Sequence, residues 1–144
     1  MKMTVNKTFA EEFASLLDAA VPEFGVAPRP DRPVLEQRRC FSFQVSCPSA
    51  AVPTPLSISV TQSEIVLEFL SVRRRFTKPH EAVALIRELL DETVIVEKWF
   101  GLDCQDYAFV NVNVLPSKPM KLPGVTRIVR QSWRGTYDAD ESVA

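Results

Sequence analysis

The stretch Leu56-Ser57-Ile58-Ser59-Val60-Thr61-Gln62-Ser63-Glu64-Ile65-Val66-Leu67-Glu68-Phe69-Leu70-Ser71-Val72 decides the fold class. Leu56, Ile58 and Val60 alternate with Ser57, Ser59 and Thr61, the period of a strand with one apolar and one polar face. The run Ile65–Val72 reads as a second strand, with Ile65, Leu67 and Phe69 on one side and Val66, Glu68 and Leu70 on the other. Only a short turn near Gln62-Ser63 separates them, so the two must pair antiparallel as a hairpin.

Outward from this hairpin the same reading continues. Upstream, Arg39–Cys47 alternates Phe41, Phe43 and Val45 with Ser42, Gln44 and Ser46, and Pro48, Pro53 and Pro55 punctuate the link to the hairpin. Before it, Pro22, Pro28, Pro30 and Pro33 mark residues 22–37 as an extended surface connection. Thr8-Phe9-Ala10-Glu11 is a capping box, and Phe9, Phe13, Leu16, Leu17 and Ala20 follow at helical spacing, which predicts a helix over Phe9–Val21.

Downstream, a second helix is expected from Pro79, capped by Thr77, with the apolar stripe Ala82, Leu85, Ile86 and Leu89 and with Glu81, Arg87 and Glu88 outside. Thr93–Phe100 is β-branched and reads as a strand, turned at Gly101-Leu102-Asp103, with Tyr107–Val114 returning. Pro116, Pro119 and Pro123 mark a loop before a last strand over Val125–Trp133. Residues 1–7 and the acidic tail 138–144 read as flexible ends. The expectation is a single α+β domain over 1–144: a mostly antiparallel sheet of about six strands with two helices packed on one face.

Composition narrows the function. Hydrophobic residues make up 46% and charged residues 24%, which excludes a disordered chain. The net charge of −1 builds in no general attraction to nucleic acid or to anionic lipid. No apolar run matches a signal peptide or a membrane span, so a cytoplasmic protein is expected. Cys40, Cys47 and Cys104 lack CxxC spacing, and Cys40 and Cys47 sit on opposite faces of one expected strand, so free thiols are the reading.

Catalytic patterns are not found. His80, the one histidine, opens a helix and has no assignable nucleophile or orienting carboxylate, and a transition-metal site needs more ligands than it supplies. None of the four glycines belongs to a phosphate-binding loop. Asp103 and Asp106 flank a turn, and Glu11 and Glu12 open a helix, where negative charge is expected for structural reasons. The sequence therefore predicts no enzyme, no cofactor and no metal.

Two features point to protein binding instead. Arg73-Arg74-Arg75 can clamp carboxylates or phosphates, or can serve as a solvated strand end that blunts an edge. Trp99, Trp133 and Arg134 belong to residue types that dominate interfaces, although Trp99 and Trp133 are equally at home in packing. Arg73, Arg74, Arg75, Trp99, Trp133 and Arg134 are thus the candidate partner-binding residues.

A resemblance sharpens this. The hairpin ending in Leu70-Ser71-Val72-Arg73-Arg74-Arg75-Phe76, the helix from Glu81-Ala82 to Leu89-Leu90, the strand Thr93-Val94-Ile95-Val96-Glu97-Lys98-Trp99 and the late Ser132-Trp133-Arg134-Gly135-Thr136-Tyr137-Asp138 resemble small immunity proteins of bacterial contact-dependent inhibition and polymorphic toxin systems. The likeness covers roughly residues 56–138, with arginines where those families often carry histidines. It implies a protein that binds a cognate toxin domain, often a nuclease, and blocks its active site. A secretion chaperone or adaptor is the alternative, and neither reading calls for nucleic acid or membrane.

Overall fold

The computed structural model describes residues 8–24, 41–49, 52, 54–101, 105–115 and 124–142. It is an α+β protein whose described residues hold two α-helices and eight strands, arranged as two antiparallel sheets of four. Chain contacts divide it into two compact units. The first comprises Met1–Val45, Ser57–Glu68 and Arg73–Arg87, the second Ser46–Leu56, Phe69–Val72 and Glu88–Ala144.

Helix α1 runs Phe9–Ala20, and its start is the capping box the sequence announces. The Glu11 amide donates to Thr8 Oγ1 at 3.1 Å while Glu11 Oε1 accepts from the Thr8 amide at 3.4 Å. Its buried residues are Ala10, Phe13, Ala14 and Leu17, so the apolar stripe is rotated from the one expected. Phe9, Leu16 and Ala20 are only half-buried. Arg87 closes the far end, donating to the Ala20 carbonyl at 3.1 Å and pairing with Glu23. A cation there suits the negative end of the helix.

Strands β1 (Phe41–Val45), β2 (Leu56–Val60), β3 (Ile65–Phe69) and β4 (Val72–Phe76) form the first sheet in that order. The expected hairpin of β2 and β3 forms, with Ile58 facing Leu67 and Val60 facing Ile65. One expectation is corrected here. The strand anticipated over Ile65–Val72 is broken at Leu70-Ser71, both at positive φ (52° and 72°), and the chain returns as β4. Two consecutive positive-φ residues are what a two-residue hairpin with the right twist demands, and neither is Gly or Asn, so the turn carries no sequence signal. Burial of Leu70 offsets part of its strain.

Helix α2 (Pro79–Leu90) opens on proline, and the Lys78 carbonyl accepts the amides of Glu81 and Ala82. Its stripe is as read: Ala82, Leu85, Ile86 and Leu89 are buried, joined by Val83 and Leu90.

The second sheet has the order β6-β5-β7-β8, from β5 (Val94–Gly101), β6 (Gln105–Asn111), β7 (Val125–Gln131) and β8 (Ala139–Ser142). Strand β5 is central, paired with β6 and β7, and its residues Val94–Glu97 are buried on both faces. Strand β6 stops at Asn111 rather than Val114, since the Asn111 side chain accepts the Asn113 amide at 2.8 Å and starts a 3-10 turn. Strand β8 lies within the acidic tail. Its carboxylates find cations on β7: Arg127 holds Asp140 through two bonds (2.8 and 2.6 Å), and Arg130 reaches Glu141 at 3.1 Å. Residues 1–7, 143 and 144 lie outside the described residues.

Two sheets therefore stand where one of about six strands is expected. The extra strands are β4, hidden by an unmarked turn, and β8, hidden by its acidic composition.

Candidate interaction surface

The second unit carries its most elaborate polar construction in the Ser132–Asp138 segment that follows β7. Glu92 organises it. This residue sits between α2 and β5 at φ 60° and is only 3% exposed. Its Oε2 accepts the backbone amides of Arg134 (3.0 Å) and Thr136 (3.2 Å). Its Oε1 accepts Arg134 Nε (3.0 Å) and the Thr136 hydroxyl (2.6 Å). Burial by itself raises a carboxyl pKa, but the bonds from Thr136, Ser132 and Arg134 stabilise the anion and hold Glu92 down to about 2.

The segment also closes on itself. The Ser132 amide donates to Asp138 Oδ1 and the Tyr137 amide to Ser132 Oγ, both at 2.9 Å. Gly135 turns the chain at φ 85°, a conformation that strains any L side chain, and a Cβ there would also sit close to Ser49 Oγ, at 3.3 Å. Cys47 Sγ donates to the Trp133 carbonyl at 2.9 Å, and burial pushes the Cys47 thiol pKa up. Cys40 and Cys104 lie outside the described residues.

Trp133 is a packing residue. It is 8% exposed, its ring lies 5.6 Å from that of Phe69, and it follows β7, which ends at Gln131 rather than at the tryptophan. Arg134 is different, since Glu92 fixes its Nε while the side chain stays 61% exposed. Tyr137, three residues further on, is 39% exposed. The segment thus holds Trp133 inside and shows Arg134 and Tyr137 outside.

Trp99 lies on β5 between Asp106 of β6 and Ile128 of β7 and is half-buried. Its indole nitrogen is fully buried with no hydrogen-bond partner among the described residues. On the same face, Glu97 is wholly buried and pairs with Arg130 at 2.8 Å.

In the first unit, Arg73, Arg74 and Arg75 are all exposed, but they form the middle of β4 rather than a strand end. That strand is the margin of its sheet among the described residues. Arg75 makes an ion pair with Glu64 at 3.4 Å, largely in solvent. The six candidates are therefore shared between the two units, Arg73–Arg75 in one and Trp99, Trp133 and Arg134 in the other.

Other polar groups have local explanations. His80 is exposed in the first turn of α2, and Asp106 accepts its neighbour's amide from Tyr107 at 2.9 Å. Asp103 lies outside the described residues. Among the described residues no group of three or more His, Cys, Asp or Glu side chains is placed to hold a metal ion. Nor is any described helix long and apolar enough to cross a membrane.

Against this geometry the comparisons are silent. No family model, curated protein or solved structure matches the chain. The residue that sequence reasoning missed is Glu92, one carboxylate among several near the end of a helix, with neither a glycine nor a motif to flag its left-handed backbone.

Proposed function

We propose that this protein works by binding another protein, and that it is an immunity protein that neutralises a cognate toxin domain by covering its active site. The observation that carries the reading is the Ser132–Asp138 segment. It is the late motif of the resemblance to immunity proteins, and the buried Glu92 carboxylate holds it in one conformation with Arg134 and Tyr137 outward. Arginine and tyrosine are favoured interface anchors, and a segment already ordered loses little entropy on binding. The exposed Arg73, Arg74 and Arg75 supply a second contact strip, suited to carboxylates of the partner. Trp133 supports the segment from inside rather than touching the partner.

The test is a tagged pull-down from the native host with partners identified by mass spectrometry, followed by co-expression of the partner with and without this chain. A single stoichiometric partner, toxic alone and harmless with this protein, is the expected result. Arg134→Ala with Tyr137→Ala should then weaken binding by more than about 1 kcal/mol while leaving the unfolding transition in place. Recovery of a large effector without rescue of viability would point to the chaperone reading, and recovery of nucleic acid would end both.

A further inference from the structure

Among the described residues, three cationic side chains are sheltered from solvent: Arg130 is buried, and Arg87 and Lys98 are half-buried. Arg87 pairs with Glu23, and Arg130 pairs with both Glu97 and Glu141. Lys98 has no carboxylate within ion-pair distance among the described residues. A sheltered charge is ordinarily paired, because taking it out of water is costly. Lys98 is the exception.

Its surroundings are set by the register of the second sheet. Lys98 of β5 lies in one row with Tyr107 of β6, Val129 of β7 and Asp140 of β8, and Phe100 and Arg127 share the next row on the same face. The ammonium stands over the Tyr107 ring, 5.4 Å from its centroid, and Phe100 meets that ring edge-on at 6.2 Å. The Arg127 guanidinium lies over Phe100 at 5.4 Å and is held twice by Asp140. The charged groups of this face are therefore Lys98, Arg127 and Asp140, and Asp140 is committed to the arginine. Glu97, Arg130 and Glu141 belong to the opposite face. With only a ring beneath it, the Lys98 amine is pushed down in pKa by burial, and no carboxylate opposes the shift.

We propose that Lys98 is a modification site, an amine that takes an acyl group from a small acyl phosphate faster than an exposed lysine does. The neutral amine attacks the carbonyl carbon. The N–C bond forms as the C–O bond to phosphate breaks, phosphate leaves with the bonding pair, and one amine proton passes to solvent. With Asp140 occupied, this face supplies no free base among the described residues. The donor must arrive activated, with a leaving group that needs no proton, and an acyl phosphate meets both conditions. The product is a neutral amide, which suits a sheltered position, and it leaves this face with one cation and one carboxylate. The modification needs no partner protein and stands apart from the toxin-neutralising reading.

The experiment treats the full chain with acetyl phosphate near neutral pH and follows each lysine by mass spectrometry of its peptides. Lys78, exposed ahead of α2, is the internal reference. Lys98 should react about three times faster than Lys78 or more in the native chain, and at the same rate in urea. With rising pH, the Lys98 rate should level off before that of Lys78. Val129→Glu sets a carboxylate directly across from Lys98 and should slow it to the Lys78 rate or below, with Lys78 itself unchanged. Equal rates in the native wild type would overturn the proposal even where the variant does not fold. So would a folded Val129→Glu in which Lys98 stays fast.

Discussion

Replacing Glu92 by alanine tests whether the Ser132–Asp138 segment is built on one carboxylate. The substitution removes the acceptor for two backbone amides, one guanidinium N–H and one hydroxyl. The Arg134 side chain is mostly in solvent and recovers its bond from water. The two amides dominate, and hydrogen bonds to a charged acceptor are worth about 1.5 kcal/mol or more each, so the loss is about 3 kcal/mol. Linkage expresses the same bonds as a pKa change of similar size. A carboxyl brought from 4.5 to about 2 by folding contributes about 3 kcal/mol at neutral pH.

The assay is urea unfolding of the wild type, Glu92→Ala, Glu92→Gln and Glu92→Gly. With an m value of about 2 kcal/mol/M for a chain of this size, Glu92→Ala should lower the midpoint by about 1.5 M. Because Glu92 is left-handed, Glu92→Gly should be less destabilised than Glu92→Ala by about 1 kcal/mol. The pH dependence has a definite sign. The folded-state pKa is depressed, so the stabilisation is complete above about pH 4.5 and is lost as pH falls through about 2. The gap between wild type and Glu92→Gln should therefore be flat near neutrality and narrow in acid. A loss under about 1 kcal/mol for Glu92→Ala, or a gap that does not narrow in acid, would refute the reasoning.

Three further outcomes are expected. Glu97→Ala should destabilise by about 3–5 kcal/mol in thermal or urea unfolding, because Arg130 is left buried with one of its two partners gone, whereas Glu97→Leu with Arg130→Met should recover most of that loss. Thr8→Ala should cost about 1 kcal/mol through loss of the α1 cap, read from the same transitions. Ser71→Gly should stabilise by about 0.5–1 kcal/mol, since Ser71 is exposed at φ 72° and glycine adopts that conformation without strain.

What the sequence made legible was whatever rests on periodicity or on a named local signal. The Thr8–Glu11 box, the stripe of α2 and the β2–β3 hairpin all follow from spacing, and spacing is set by geometry common to every helix or strand. The α+β class was readable for the same reason. The division into two sheets was not, because it depends on which strands pair across the chain. Strand β5 pairs with β6 and β7, and no pattern within Val94–Gly101 names those partners. Leu70-Ser71 shows the limit at close range. A two-residue turn normally announces itself with Asn or Gly, and here a leucine and a serine occupy it, so a hairpin passed for one strand.

The candidate site divides along the same line. Residue type alone selected Trp133 and Arg134, yet only the bonds separate an indole facing Phe69 from a guanidinium facing solvent. Motif resemblance pointed to Ser132–Asp138 without indicating its foundation, since Glu92 lies 40 residues before Ser132 and two of its four bonds come from backbone amides, which leave no trace in side-chain identity. The acidic tail misled for a related reason. Asp140 and Glu141 suggest a solvated end until Arg127 and Arg130 are seen opposite them, and charge then fixes the strand it had seemed to preclude. The same carboxylates that secure β8 to β7 also close that margin of the sheet.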